Sequence, residues 1–316
     1  MTTQLQYGME GDRPYSLYYQ HSGKTPLASI LLAALAGIVA GIVLAFAYAY
    51  VDAYCPYAKG RGLACVIFGA GIGGATAAIA KAGKIRSLAV VLALVGAVAV
   101  ISYYFCWVFW IQAALARFAD SANGIRLPGY ARLILSPLTL ARYIQLFNDN
   151  GYWTMSSTDK DAPHGLLLSL FWLAEAATIL GAAIAVAYST TRANVFCESC
   201  NAWGKKPVTL RTTAPGDPVQ LRQTLETHNF TYLNSLGPAT DAAHYWSLVY
   251  EYCGNCDKLH ALTIKDHTNK IDKKGVVRAK KVKTLVERLL LDTAELNTIR
   301  NATATVVVPP PPNPSL

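Results

Sequence analysis

The sequence predicts an α-helical membrane protein with four transmembrane helices, followed by a C-terminal soluble domain rich in β-structure. Four long segments are apolar and almost free of charge, at 27–50, 62–80, 87–116 and 165–188. Charged residues make up only 15% of the 316-residue chain, whereas a soluble protein carries about a quarter. Two Cys-x-x-Cys pairs follow the last apolar segment, and strand-like runs of aromatic and β-branched residues flank the second pair.

Each apolar segment has a length suited to a bilayer. A helix needs about 20 apolar residues to cross the hydrocarbon, and each segment is that long or nearly so. Buried helices of a soluble protein are the alternative, but they are shorter and carry a polar stripe. The first segment is too long for the apolar part of a signal peptide. We therefore interpret it as the first span of a membrane domain at 27–188, preceded by an N-terminal arm at 1–26.

Four spans place both termini on one side of the membrane, and basic residues indicate which side. The short connection between the second and third spans contains Lys81, Lys84 and Arg86, and short basic loops face the cytoplasm. We predict a multi-pass protein of the plasma (inner) membrane with both termini in the cytoplasm. Cys55 and Cys65 then lie outside, where they are either a candidate disulfide or two unrelated thiols.

The outer loop at 117–164 is too long for a simple connection. Ser136 followed by Pro137 is typical of a helix start, and Gly151 marks an end. Polar and apolar residues recur on opposite sides of this segment. An amphipathic helix is therefore predicted, which lies on the outer membrane surface or packs over the helix bundle.

Small residues at four-residue spacing predict the faces on which the spans approach each other. They are Gly37 and Gly41 in the first span, Gly69 and Gly73 in the second, and Ala177, Gly181 and Ala185 in the fourth. Glu175 is the ionisable residue of the fourth span. We expect it to face the bundle, because a charge in hydrocarbon costs about 2.5–3.5 kcal/mol on insertion scales. A structural role and a transport role both stay open for it.

Cys197, Cys200, Cys253 and Cys256 are the candidate metal ligands. Each Cys-x-x-Cys turn can aim two thiolates at one ion, and two such turns complete a tetrahedral site. The second pair lies between strand-like segments at 246–252 and 259–264, which indicates a metal knuckle at the tip of a hairpin. A redox-active pair is the alternative, although a thioredoxin-like pair opens a helix.

The two turns resemble the paired knuckles of a zinc ribbon. The resemblance covers only the Cys-x-x-Cys turns and their flanks, and no family is indicated for the whole chain. It implies one structural zinc ion in a cytoplasmic domain at 197–300, with a helical insertion at 217–236 between the knuckles. His260 is expected on a strand surface rather than among the ligands.

The sequence after the second Cys-x-x-Cys pair predicts three further features. A second hairpin is expected around the turn at 272–275, and the sequence at 292–295 is typical of a capping box that opens a helix. The Pro-rich segment at 301–316 is expected to be disordered. The second hairpin contains a concentration of the tail's positive charge: Lys270, Lys273, Lys274, Arg278, Lys280, Lys281 and Lys283. Anionic lipid is a candidate partner of this charge, nucleic acid is less favoured, and a solvated strand face is the plainest interpretation.

The sequence contains no Ser-His-Asp spacing, H-E-x-x-H motif or phosphate loop, so we disfavour an enzyme. The expected function is that of a membrane-anchored interaction or scaffold protein that presents a zinc domain to a cytoplasmic protein partner. The alternatives are a transporter or membrane enzyme that uses Glu175, and a thiol redox protein that uses the Cys-x-x-Cys pairs. Homo-oligomerisation stays open.

Overall fold

The structure is a computed structural model that describes residues 16–55, 58–119, 128–151, 163–272 and 277–303. The chain divides into two compact units. The helical unit lies between Ser22 and Ala193. The soluble unit runs from Asn194 onward and also includes the segment that ends at His21.

Six helices make up the described part of the helical unit. They are α1 (Leu27–Tyr54), α2 (Ala58–Ala82), α3 (Leu88–Ala119), α4 (Tyr130–Leu135), α5 (Pro137–Asn150) and α6 (Gly165–Arg192). Of these, α1, α2, α3 and α6 are long and apolar enough to cross a membrane. They coincide with the four predicted spans, with most ends a few residues further out.

The long helices expose large apolar side chains along one side. On α1, the side chains of Leu31, Leu35, Val39 and Val43 are all more than half exposed. Soluble proteins rarely present a continuous apolar surface of this kind to water. A helix that faces lipid presents one, because lipid tails are as apolar as the side chains.

Glycines bring α2 and α6 into backbone contact. A Cβ atom added to Gly69 or Gly73 would collide with the backbone of Ile179 or Ala183, so a larger residue would force the helices apart. The sequence analysis predicted these two glycines as contact residues. The contact residues that it predicted on α6, Ala177, Gly181 and Ala185, are wrong. Gly181 has open space around its Cα. The packing face of α6 carries Ile179, Ala183 and Ala187 instead, and four-residue spacing alone does not choose between the two series.

The segment between α3 and α6 contributes a helix that packs against the bundle. Ser136 caps α5 by accepting a hydrogen bond at its hydroxyl from the Thr139 backbone N–H at 3.3 Å. Leu140 and Phe147 of α5 are buried, and the Phe147 ring meets Trp110 of α3 edge-on at 5.1 Å. The predicted amphipathic helix is thus present and contacts the bundle, and its position on the outer membrane surface stays a prediction.

The soluble unit combines a small hairpin, a four-stranded sheet and three helices in its described part. The elements are β1 (Phe196–Cys197), β2 (Ala202–Trp203), β3 (Val208–Thr213), α7 (Pro218–Glu226), α8 (Thr231–Ser235), β4 (His244–Tyr252), β5 (His260–Ile271), β6 (Val277–Leu290) and α9 (Thr293–Thr303). Strands β1 and β2 pair with each other, and β3–β4–β5–β6 form an antiparallel sheet in that order.

Alternating side chains on one face of β4 form part of the core of this unit. Trp246, Leu248 and Tyr250 alternate along the strand and are buried. They belong to one core with residues of α7, such as Leu221, and of α9, such as Ile299. The segment predicted as a helical insertion thus supplies α7 and α8. Strand β3, which also lies between the knuckles, has no counterpart in the sequence analysis.

Helix α9 begins with a reciprocal cap. The Asp292 carboxylate accepts from the Glu295 backbone N–H at 2.7 Å, and the Glu295 carboxylate accepts from the Asp292 backbone N–H at 2.8 Å. The backbone of residues 301–303 continues α9. The rest of the predicted disordered end, and Lys273, Lys274 and Gly275 of the predicted turn, lie outside the described residues.

A short segment before α1 pairs with the sheet. Tyr18 bridges Leu289 of β6 in antiparallel fashion, and the Leu290 backbone N–H donates to the Leu17 carbonyl at 3.0 Å. Residues 16–21 of the predicted N-terminal arm therefore fold with the soluble unit, whereas residues 1–15 lie outside the described part.

Candidate metal centre

The four tail cysteines converge on one point. The sulfur atoms of Cys197, Cys200, Cys253 and Cys256 all lie within 4.8 Å of one another, and Cys197 Sγ is 3.6 Å from Cys256 Sγ. A tetrahedral ion with metal–sulfur bonds of about 2.3 Å holds its sulfurs about 3.8 Å apart. The cluster therefore fits a single metal ion bound by four cysteines.

The first knuckle is the β1–β2 hairpin. Cys197 pairs with Ala202 and Phe196 pairs with Trp203, and the rings of Phe196 and Trp203 meet edge-on at 5.0 Å. Cys200 lies in the turn between the strands. Asn201 follows with φ at +48°, a left-handed conformation that asparagine tolerates better than most residues.

The second knuckle is the tip of the β4–β5 hairpin, as the sequence predicted. The Cys253 backbone N–H donates to the Leu259 carbonyl at 3.1 Å, which closes the turn. The Asn255 backbone N–H points at Cys253 Sγ at 3.4 Å. The aliphatic part of the Lys205 side chain lies against Gly254.

Gly204 holds the two knuckles together. Its backbone N–H donates to the Val195 carbonyl at 2.8 Å, and the next residue, Lys205, donates to the Tyr252 carbonyl at 2.9 Å. A Cβ atom at position 204 would lie 2.9 Å from the Tyr252 carbonyl oxygen and 2.7 Å from the Val195 side chain. Glycine is therefore required at position 204, where the backbone passes close to Val195 and Tyr252. No sequence motif indicated this requirement.

The pKa shifts of the thiols differ across the cluster. Burial raises the pKa of Cys197, and the neighbouring Cys256 thiol raises the pKa of Cys200 to about 12. Burial also acts to raise the pKa of Cys253, but the hydrogen bonds that its sulfur accepts from the Asn255 N–H and from adjacent thiols lower it overall. A cation that displaces the remaining protons replaces crowded thiols by shared metal–sulfur bonds.

His260 is not part of this cluster. It is buried rather than on the strand surface, with 5% of its area exposed, which corrects the sequence prediction. Its Nδ1 atom lies 2.6 Å from the Tyr250 hydroxyl, and the four-sulfur cluster does not include it. The reason is that β5 is buried on both faces from His260 to Ile264, so a side chain on either face is covered there.

The soluble unit also contains an open cleft of about 730 Å³ lined by polar side chains. His228 lies in it and contacts Glu295 at 2.6 Å between Nδ1 and Oε1. This pair ties the start of α9 to the end of α7. His228 belonged to no pattern that the sequence analysis identified, whereas Glu295 is part of the predicted capping box.

A second polar cluster lies within the helical unit and contains Glu175. Glu175 is on the side of α6 that meets the other helices, and its Oε1 accepts a hydrogen bond from the Tyr48 hydroxyl of α1 at 2.8 Å. The thiol of Cys65 on α2 points at the Glu175 backbone carbonyl at 3.6 Å. Side chains of α1 and α6 thus meet at the carboxylate.

One helical turn beyond Tyr48, Asp52 joins the same cluster. Its carboxylate accepts a hydrogen bond from Trp110 Nε1 of α3 at 2.8 Å and lies 3.6 Å from Arg61 Nε of α2. The sequence analysis missed both charged residues, because Asp52 follows the predicted first span and Arg61 precedes the second. The Asp52–Arg61 pair could have been predicted from the opposite charges just outside two consecutive spans.

Cys55 is the C-cap residue of α1, and Cys65 lies within α2. Arg61 donates from Nε to the Cys55 backbone carbonyl at 3.2 Å, whereas Cys65 is buried and directed toward α6. The two residues thus make different contacts at the ends of α1 and α2, and their disulfide stays a prediction.

No protein-family model, curated protein or solved structure matches the chain. Its function therefore rests on the chemistry of the two polar clusters and the surfaces around them.

Proposed function

We propose that the protein is a membrane-anchored interaction or scaffold protein whose cytoplasmic domain is held together by one structural zinc ion. The four-sulfur cluster carries this proposal. Four protein ligands fill a tetrahedral site and leave no open position for a substrate. Thiolates suit zinc or iron, and sulfurs within 4.8 Å of one another are close enough to share a single ion. We favour zinc because the paired knuckles resemble those of a zinc ribbon.

We further propose that α1, α2, α3 and α6 cross the plasma (inner) membrane with both termini inside. The basic connection with Lys81, Lys84 and Arg86 favours this orientation. The cysteines favour it independently, because thiolates that bind a metal persist in a reducing compartment.

The β5–β6 hairpin is the surface that we propose for a protein partner. Strand β4 pairs with β5 only as far as Thr268, while β5 and β6 continue to pair as far as Ile271 and Val277. Val282 of β6 is 51% exposed despite its size. A rigid hairpin with an exposed apolar side chain offers a contact at little entropic cost.

Site-specific photo-crosslinking in intact cells tests this surface. A photoreactive amino acid at Val282 is expected to capture one discrete protein. The matched control is Val219 on α7, which is 62% exposed but lies outside the hairpin. Equal capture at both positions, or capture at neither, contradicts a partner at the hairpin.

Anionic lipid is the second partner that we propose for the same hairpin. Lys270, Lys280, Lys281 and Lys283 are all exposed. Each lysine near an anionic leaflet contributes about 1 kcal/mol to binding. The four apolar helices of the same chain favour a bilayer as the nearest anionic surface.

Proton or cation transport is a second candidate function. The Tyr48–Glu175 hydrogen bond and the Asp52–Arg61 pair favour it, because ionisable residues inside a helix bundle often mark ion pathways. A hydrophobic carbodiimide, which reacts with protonated carboxyl groups in membranes, tests this alternative. Labelling at Glu175 that Na⁺ or Li⁺ prevents supports transport, and a Glu175 that cations do not protect supports the structural role.

A further inference from the structure

Residues 16–21, which we call the N-terminal strap, contact the first knuckle directly. We propose that the strap is an integral part of the metal domain and that Tyr19 is a positioning residue for the ligands of the first knuckle. This inference rests on the proposed metal binding and adds a distant segment of the chain to it.

Backbone hydrogen bonds fix the strap on the sheet. The Tyr19 backbone N–H donates to the Arg288 carbonyl at 2.9 Å, and Leu290 donates to Leu17 at 3.0 Å. Arg288 is itself held in place, because its guanidinium donates to the buried Glu251 carboxylate at 2.8 Å and 3.1 Å. The same guanidinium lies 6.0 Å from the centre of the Tyr19 ring. The strap therefore has one defined position on β6.

From this position the Tyr19 side chain reaches the metal site. Its hydroxyl accepts a hydrogen bond at 2.7 Å from the backbone N–H of Phe196, the residue before the ligand Cys197. The ring packs against the buried cluster that contains Cys197 and Cys253. His21 extends the contact, since its ring meets the ring of Trp203 at 5.8 Å. The strap thus touches both strands of the first knuckle.

The first knuckle needs such support because it is very small. Strands β1 and β2 have two residues each, and an isolated two-stranded hairpin is marginally stable at best. Gly204 and Lys205 attach the end of the knuckle to Val195 and Tyr252. Tyr19 attaches its beginning, at Phe196. The two attachments together fix where Cys197 and Cys200 stand relative to the second knuckle.

Metal binding and strap docking are consequently linked. If the docked strap places two of the four ligands, the metal binds more tightly to the docked state. By the reciprocity of coupled equilibria, the metal must then hold the strap on β6 more firmly. The metal domain thus begins before α1, and a fragment that starts at residue 194 lacks one of its parts.

The test compares Tyr19→Phe with Tyr18→Phe in the full-length chain in detergent. Tyr19→Phe removes the hydroxyl that contacts Phe196. Tyr18→Phe is the matched control, because the Tyr18 hydroxyl donates to the exposed Glu226 at 2.7 Å, away from the knuckle. Zinc affinity is measured by competition with a chromophoric chelator. We expect Tyr19→Phe to weaken zinc binding about fivefold, the value of a typical net hydrogen bond, and Tyr18→Phe to leave it unchanged.

Hydrogen exchange supplies the second readout. In the zinc-bound chain, Tyr19→Phe is expected to reduce protection of the Phe196 amide, and removal of zinc from the wild type is expected to reduce protection of residues 17–19. The inference is overturned if Tyr19→Phe keeps the wild-type zinc affinity and the wild-type protection of the Phe196 amide. It is also overturned if Tyr19→Phe and Tyr18→Phe lose zinc affinity equally. A wild-type chain that binds no zinc contradicts the proposed metal domain itself, which separates the two failures.

Discussion

The two polar clusters of this protein satisfy their buried groups in opposite ways. In the helical unit the groups satisfy each other, as Tyr48 donates to Glu175, and Trp110 and Arg61 meet Asp52. In the soluble unit four thiols crowd together, with one sulfur–sulfur distance of 3.6 Å, and an added cation resolves that crowding. From this difference we propose that the fold of the soluble unit depends on a metal ligand, whereas the fold of the helical unit depends on packing.

Metal removal is expected to have the largest effect and to affect one unit alone. Structural zinc contributes about 10–16 kcal/mol of apparent binding free energy in small zinc domains. Chelation should therefore abolish amide protection at 195–205 and 252–260, while α1, α2, α3 and α6 stay protected in hydrogen exchange. Cys197→Ser should behave like the chelated chain and Cys55→Ser like the wild type. Loss of protection in both units would contradict the division between them.

The helical unit should respond to packing instead. Gly73→Val places a side chain against the backbone of Ala183 on α6, whereas Gly181→Val points into open space. Overpacking typically costs about 1–3 kcal/mol, so Gly73→Val should lower the thermal midpoint in detergent by several degrees and Gly181→Val should not. Equal midpoints for the two variants would show that α2 and α6 do not pack as described.

Charge reversal on the second hairpin should weaken attachment to anionic lipid and leave both folds intact. Lys281→Glu combined with Lys283→Glu removes about 1 kcal/mol for each lost positive charge, with a further repulsive contribution. Hydrogen exchange of β6 in nanodiscs with and without anionic lipid measures the effect. Lys258→Glu, at an exposed position outside this hairpin, is the control. Lipid-dependent protection that survives the double change contradicts the lipid proposal.

The smallest effect is expected at the carboxylate of α6. Tyr48→Phe removes the hydrogen bond to Glu175, and side-chain hydrogen bonds between membrane helices contribute about 0.6 kcal/mol on average. Thermal unfolding in detergent should therefore shift only slightly. Glu175→Gln keeps hydrogen-bonding capacity and should likewise preserve the fold. A large loss of stability in either variant would indicate that the cluster holds the bundle together.

Sequence reasoning succeeded where the signal is local. A Cys-x-x-Cys turn is complete within four residues, so its chemistry can be read before the fold is known, and the same holds for Gly69 and Gly73 within one helix. The meeting of the two knuckles could be expected because a tetrahedral site needs four ligands. The capping box at Asp292 and Glu295 is local in the same sense.

The missed features depend on contacts between distant parts of the chain. Tyr48 meets Glu175 across 127 positions, and Tyr19 meets Phe196 across 177. Neither tyrosine belongs to a sequence motif. A single sequence does not show which distant residues are in contact. The packing face of α6 was missed for another reason, since Ala183 and Ala187 have the same four-residue spacing as Ala177, Gly181 and Ala185.

Metal analysis of the purified full-length chain tests the central claim most directly. Elemental analysis and native mass spectrometry of the wild type should give about one zinc ion per chain, and the Cys197→Ser, Cys253→Ser double variant should give none. A wild-type chain that contains no metal, yet keeps the amides of 195–205 and 252–260 protected from exchange, would contradict the account.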